Sequence, residues 1–206
     1  VFNFILSIAI FTGVGLTAGV IKEPLTVGTL LPNPYVVELQ SGDEIVAIEG
    51  AMLPRAEDGP YDGFMDALPV QQSLNYTVKR DGQLVEVTAP HPTLPIISKL
   101  APQSAAYDID MKIGDVFTAV NGDPIYVFDQ LKDKVLAAEG RPLMVDIWRD
   151  GETLQFTLAP RRVDEPQPDG GFETKWRIGV VGGMFFEPAT ETAGLGSAFL
   201  NGIAVT

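Results

Sequence analysis

The chain holds one histidine, His91, and no cysteine. Composition alone therefore excludes disulfides, thiolate nucleophiles and cysteine-ligated zinc or iron–sulfur centres. A single imidazole narrows the rest. A zinc site needs several converging donors, and a serine nucleophile needs a base that is itself oriented by a third group. His91 stands between Pro90 and Pro92 with no second imidazole anywhere in the sequence. It is expected to be a solvent-exposed residue of a connecting segment, neither ligand nor base. The acidic stretch Arg55-Ala56-Glu57-Asp58-Gly59-Pro60-Tyr61-Asp62 lacks the ligand spacing of an EF-hand and reads as a solvated loop. No catalytic residue and no metal ligand is assigned.

Charge excludes further partners. With 27 acidic against 14 basic side chains, the net charge of −13 repels nucleic-acid phosphates and anionic headgroups, so no nucleic-acid partner is expected. That charge is absent from the first 21 residues, Val1 to Ile21. As a helix, this run is about 30 Å long, the thickness of a bilayer's hydrocarbon core. Residues 1–22 are read as a transmembrane helix, with a cleaved signal peptide and a buried soluble helix as rivals. Gly15 and Gly19 have the small-residue spacing that permits close helix packing, and Lys22 and Glu23 are expected to mark the membrane surface. Starting at Val1 without Met, the chain reads as a piece of something longer.

The elements that follow come in duplicate. Gly42-Asp43-Glu44-Ile45-Val46-Ala47-Ile48-Glu49-Gly50 returns 72 positions later as Gly114-Asp115-Val116-Phe117-Thr118-Ala119-Val120-Asn121-Gly122. Leu30-Leu31-Pro32 corresponds to Leu100-Ala101-Pro102, Lys79-Arg80-Asp81-Gly82 to Trp148-Arg149-Asp150-Gly151, and Ala89-Pro90 to Ala159-Pro160. Two copies of one module are expected, at residues 25–90 and 95–160. Pro90, Pro92 and Pro95 should stiffen the connection between them into a rigid pair.

Each copy reads as mainly β with short helices, an α+β fold. Leu74, Tyr76 and Val78 alternate with polar residues before the Asp81-Gly82 turn, and Met144 to Trp148 does the same before Asp150-Gly151, with Leu154, Phe156 and Leu158 on one returning face. These are hairpins. Phe128, Leu131 and Val135 fall at i, i+3 and i+7, with Gly140 and Pro142 as stop signals, and predict an amphipathic helix in copy two. Copy one has only Tyr61 to Leu68, interrupted by Gly63 and ended by Pro69, which predicts a shorter helix. Residues 161–206 read as a linker from Arg161 to Gly171, an added strand from Lys175 to Val181 and a juxtamembrane segment. In it, Met184-Phe185-Phe186 either meets the membrane interface or buries against the second module.

The order of elements and the Gly-Asp-x-[Ile/Phe]-x-x-[Ile/Val]-x-Gly core of both copies resemble the circularly permuted PDZ domains of bacterial envelope proteases. The run Asn3-Phe4-Ile5-Leu6-Ser7-Ile8-Ala9-Ile10-Phe11, followed directly by two such modules, is similar to the central section of RseP-type site-2 proteases. The stretches Gly171 to Trp176 and Gly182 to Pro188 also look like members of that family. The resemblance implies an intramembrane zinc metalloprotease as the parent protein. Its His-Glu-x-x-His helix is not in this chain, so zinc is implied for the parent and no cofactor for this piece.

It further implies a bacterial inner-membrane location with the modules in the periplasm. The partners would be transmembrane substrates or their extracytoplasmic ends, in regulated intramembrane proteolysis of anti-sigma factors or signal-peptide remnants, and the role would be peptide binding or size filtering. A non-proteolytic membrane-anchored PDZ adaptor and the PDZ part of an HtrA-type serine protease are the alternatives. PDZ domains take peptide by strand addition beside a helix. The expected edge in copy two is Ile96-Ile97-Ser98-Lys99-Leu100, with Phe128, Leu131 and Val135 as the opposite wall. The alternative for all three is simple packing on the barrel: periodicity favours core for Leu131, while Phe128 and Val135 read equally as core or groove wall. In copy one the matching edge is Leu25 to Leu30, obstructed by the membrane helix.

Overall fold

The computed structural model describes residues 20–55, 61–167 and 170–191. The run read as a membrane helix lies almost wholly outside them, as does the centre of the acidic loop. No helix among the described residues is long and apolar enough to cross a membrane. The fold is mainly β with few, short helices.

In the first half, strands β1 (Val20–Ile21), β2 (Val27–Leu30), β3 (Glu44–Ile48) and β4 (Ala51–Met52) precede helix α1 (Asp62–Asp66) and strands β5 (Leu74–Arg80) and β6 (Gln83–Ala89). The second half runs β7 (Ile97–Leu100), α2 (Ala105–Asp108), β8 (Val116–Val120), β9 (Asp123–Pro124), α3 (Phe128–Ala138), β10 (Leu143–Arg149) and β11 (Glu152–Leu158). A tail follows: β12 (Arg161–Pro166), β13 (Phe172–Arg177), β14 (Val180–Gly182), β15 (Phe186–Pro188) and β16 (Thr190–Glu191).

The two halves build the same sheet, β4-β3-β5-β6 in one and β9-β8-β10-β11 in the other. Even the irregularity is shared. The β3–β5 register skips Val46 and the β8–β10 register skips Thr118, its counterpart in the repeat. The carbonyl of each bulged residue then accepts from the chain beyond the next turn, Leu53 N–H at 2.9 Å and Ile125 N–H at 3.0 Å. The alternation expected of β5 is real: Leu74, Tyr76 and Val78 are buried and the residues between them are not. Asp81 and Asp150 have positive φ and are each followed by a positive-φ glycine, as a two-residue hairpin turn requires.

The Gly-Asp signature has a structural cause. Asp43 and Asp115 are buried and each takes a two-point grip from the arginine of the Arg-Asp-Gly hairpin in its own half. Arg80 donates to Asp43 at 2.7 Å from both Nε and a terminal nitrogen, and Arg149 to Asp115 at 2.6 and 2.7 Å. Each carboxylate also accepts a loop amide, from Gln40 and Lys112. Burial raises the Asp43 pKa, but the Arg80 guanidinium and the Gln40 amide outweigh it and hold the carboxyl below its usual value.

Three expectations are corrected. His91 is not an exposed linker residue: it is 3% exposed. Its Nδ1 faces the Thr93 amide at 3.2 Å and hydroxyl at 3.0 Å, and the ring also bonds the Met65 backbone of α1. The Tyr76 hydroxyl donates to Pro90 O at 2.6 Å and Phe128 N–H to Thr93 O at 2.9 Å, so the connection is packed between the halves. Arg161 to Gly171 is not simply a linker, because Arg161–Pro166 pairs along its whole length with Phe172–Arg177. Phe185 and Phe186 are placed mainly against the first module, in a core that also takes in Ile96 and Val116 of the second. They are fully buried in the first core, ring centroids 5.3 Å apart and edge to face.

That last correction follows from strand supply. Between Ala89 and Ile96 there is no residue to spare for a strand that would cover β2, and the tail provides it: β15 pairs with β2, with Phe186 opposite Leu30. Burying two phenylalanines contributes about 1.5–3 kcal/mol each, which offsets part of the cost of ordering the tail.

Candidate functional site: a groove between helix and tail strand

Helix α3 carries the candidate wall. It starts after Val127, whose amide and that of Tyr126 are taken by the Gln130 side chain, and it ends at Glu139 and Gly140, both at positive φ. Leu131 and Val135 are buried, Phe128 half-buried. All three line an open groove of about 570 Å³, facing Ile178 to Val181 and Trp176 across it. Leu131 and Val135 also belong to the second core, and Phe128 packs against it, so the wall and the core are one surface. The three helix residues are brought together as their spacing predicts.

The expected edge strand is not free. β14 lies on β7, with Val180 opposite Leu100 and Val181 opposite Lys99. Ser98 Oγ donates to the Val181 and Gly182 carbonyls at 3.0 and 2.6 Å. On its other side, Ile97 N–H donates to Asp115 O and Ile97 O accepts from Gly114 N–H, and Ile96 bridges Val116. Ile96 and Ile97 are buried, Ser98 and Lys99 exposed but beside β14. The edge that faces α3 belongs to β14. Ala101 N–H donates to Gly179 O at 2.8 Å, which makes Val180–Leu100 a pair that exchanges no hydrogen bond with itself. By the alternation of an antiparallel ladder, the amide and carbonyl of Val180 then point away from β7.

Glycines set the width. A Cβ on Gly182 would lie 2.6 Å from the Phe128 ring, one on Gly140 2.6 Å from the Trp176 ring, and one on Gly179 would overlap Ser104. The turn at Gly179 is pinned by Ala106 N–H, which donates to Ile178 O at 3.0 Å. In the first half, register places Phe185 and Phe186 where Gly179 and Val180 stand in the second. Side chains fill there what is open here. The groove strand was missed because Lys175 to Val181 reads as one strand, and the break at Ile178-Gly179 shows only as a glycine.

Among the described residues no group of three histidine, cysteine, aspartate or glutamate side chains is arranged to hold a metal ion. The buried His91 has Thr93 and Met65, not carboxylates, as its hydrogen-bonding partners. The donor set does not fit zinc.

Relatives of known name share part of this chain. A protein of Rhizobium meliloti, named provisionally as a zinc metalloprotease, is 29% identical over 86 residues, 42% of this chain and 23% of its own. One of Campylobacter jejuni, named in the same way, is 37% identical over 86 residues, again 42% and 23%. The zinc metalloprotease RasP of Geobacillus kaustophilus is 32% identical over 66 residues, 32% and 16%. The chain thus spans less than a quarter of the length of these curated relatives. No family model matches. Among solved structures, the PDZ domain of an SdrC-like protein from Listeria monocytogenes aligns with a TM-score of 0.36 at 13% identity, over 47% of this chain and 93% of that one.

Proposed function

The similarity of this chain to zinc metalloproteases over part of its length is the premise from which we propose that it is the regulatory section of a membrane-embedded, site-2-type zinc metalloprotease. In this reading it is built from two tandem, circularly permuted PDZ modules. It stands in the periplasm, tethered to the bacterial inner membrane by residues 1–22, and the parent's zinc chemistry resides in other parts of that protein. The second module receives the apolar end of a transmembrane substrate as a strand on β14, its side chains packing on Phe128, Leu131 and Val135. The first module, filled by Phe185 and Phe186, binds no peptide and acts as bulk that excludes large extracytoplasmic domains.

The observation that carries the peptide role is the outward-facing backbone of Val180 across an apolar groove from α3. Main-chain hydrogen bonds supply affinity in such a mode and the helix side chains supply selectivity. The test is titration of the isotope-labelled chain with peptides ending in apolar residues. Amide shifts are expected at Gly179, Val180, Val181 and along α3, and Phe128→Asp, which places a charge at the half-buried position of the wall, should abolish them while the amide spectrum of the second module stays folded. Shifts confined to β2 and α1, or no binding at millimolar peptide, would remove the peptide role and leave steric filtering alone.

A further inference from the structure

The tail makes one contact twice. On β7, Val180 lies opposite Leu100 and Gly182 opposite Ile97, with the register shift between Val181 and Gly182. On β2, Phe186 lies opposite Leu30 and Pro188 opposite Val27, with the shift between Glu187 and Pro188. The flanking bonds match as well: Ala101 N–H donates to Gly179 O at 2.8 Å and Leu31 N–H to Phe185 O at 2.9 Å. Six residues further along the tail, the same seat is taken on the other module.

The tail then reaches a third seat. Ala189 N–H donates to Thr26 O, Lys22 N–H donates to Ala189 O, each at 2.8 Å, and β16 pairs with β1, Ile21 opposite Thr190. Beyond this joint, residues 192–206 carry no charged side chain, as residues 1–21 do not. The joint therefore holds together the roots of two uncharged runs.

There is no slack between the seats. Only Gly183, Met184 and Phe185 separate β14 from β15, at most about 10 Å of fully extended chain, and Phe185 is itself buried. Backbone also presses on backbone. A Cβ on Gly28 would lie 2.7 Å from Glu187 O and 3.0 Å from Ala189 N, and one on Gly183 2.9 Å from the Ser98 Cβ. Lifting β14 from β7 pulls directly on β15 and, through Ala189, on β16.

We propose that Ile178–Glu191 is a single strap whose three seats release and re-form together, so that the state of the second groove is transmitted to the β1–β16 joint. Only the transmission of a peptide signal rests on the peptide-binding reading; the cooperativity of the strap does not. A peptide strand added to β14 holds that strand on β7, and the strap then holds the joint closed. Without it, all three seats open at the strap's own opening equilibrium.

The experiment is native-state hydrogen exchange on the full 206-residue chain in detergent. The amides of Ala101 and Ala106 report the second module's seat, Leu31 the first module's, and Ala189 and Lys22 the joint. A common opening free energy and denaturant slope for all five is expected. Lys22 and Ala189 exchanging independently of a protected Ala101 would overturn the strap. Gly179→Ala should accelerate exchange at least tenfold at Leu31, Ala189 and Lys22, and acceleration confined to Ala101 and Ala106 would also overturn it. Should that variant fail to fold, the wild-type measurement decides alone. Finally, a peptide ending in apolar residues that shifts Val180 should slow Lys22. Binding without that slowing refutes the transmission, whereas a peptide that fails to bind refutes the peptide-binding reading and leaves the strap judged by exchange in the free chain.

Discussion

Lowering the pH should loosen the joint between the two modules, through His91. Burial pushes this imidazole down from 6.5 to about 4, against the opposing pull of Asp66, Asp129 and the Met65 backbone. The Thr93 amide pointing at Nδ1 adds a geometric reason, because that nitrogen serves as an acceptor and its lone pair is already in use. The unfolded chain binds the proton near pH 6.5 and the folded chain only near pH 4. Between those values the unfolded state holds more protons, so stability falls as pH falls, and below about 4 this group contributes no further change. A gap of 2.5 units corresponds to about 3.4 kcal/mol in full, of which about 2 kcal/mol is lost between pH 7 and pH 5. Urea unfolding of the chain at pH 7, 6 and 5 measures it. The carboxyls with lowered pKa values, among them Asp43 and Glu165, titrate below that range, so the slope belongs to His91. His91→Gln should be less stable at pH 7 but flat from 7 to 5. A flat wild-type profile, or a variant that keeps the slope, would refute the reasoning.

Other outcomes follow from the same contacts. Arg149→Met leaves Asp115, whose side chain is 1% exposed, as a buried unpaired charge and should cost about 3–5 kcal/mol in denaturant unfolding, while the double variant with Asp115→Leu should recover most of it. Gly140→Ala introduces a Cβ 2.6 Å from the Trp176 ring at a φ of +85° and should destabilise by more than about 1 kcal/mol, with a change in tryptophan emission. Metal analysis of the purified chain should find well under one zinc per molecule, and a stoichiometric ion lost in His91→Gln would contradict the geometry around that ring.

What the sequence determined by itself is what local windows encode. The two hairpins, the long α3 against the short α1, and the duplication with its Gly-Asp and Arg-Asp-Gly pieces are legible because alternation, helical spacing and glycine turns act over a few residues. The spacing of Phe128, Leu131 and Val135 likewise placed them on one helix face, and the structure puts that face on the groove. Tertiary structure decided the rest. That Asp43 serves Arg80 and Asp115 serves Arg149 is a pairing across the sheet, invisible in either motif alone. His91 is buried because α1 and the start of α3 close over a connection whose prolines speak only for stiffness. Most of all, the first module's missing strand comes from Phe186–Pro188, more than 150 residues away from β2. An unpaired sheet edge takes any segment that can present backbone groups in register, and which segment does so depends on where the chain already lies, not on its local pattern. For the same reason β14, and not β7, carries the free edge of the groove: the strand read as open had been covered by the end of its own chain.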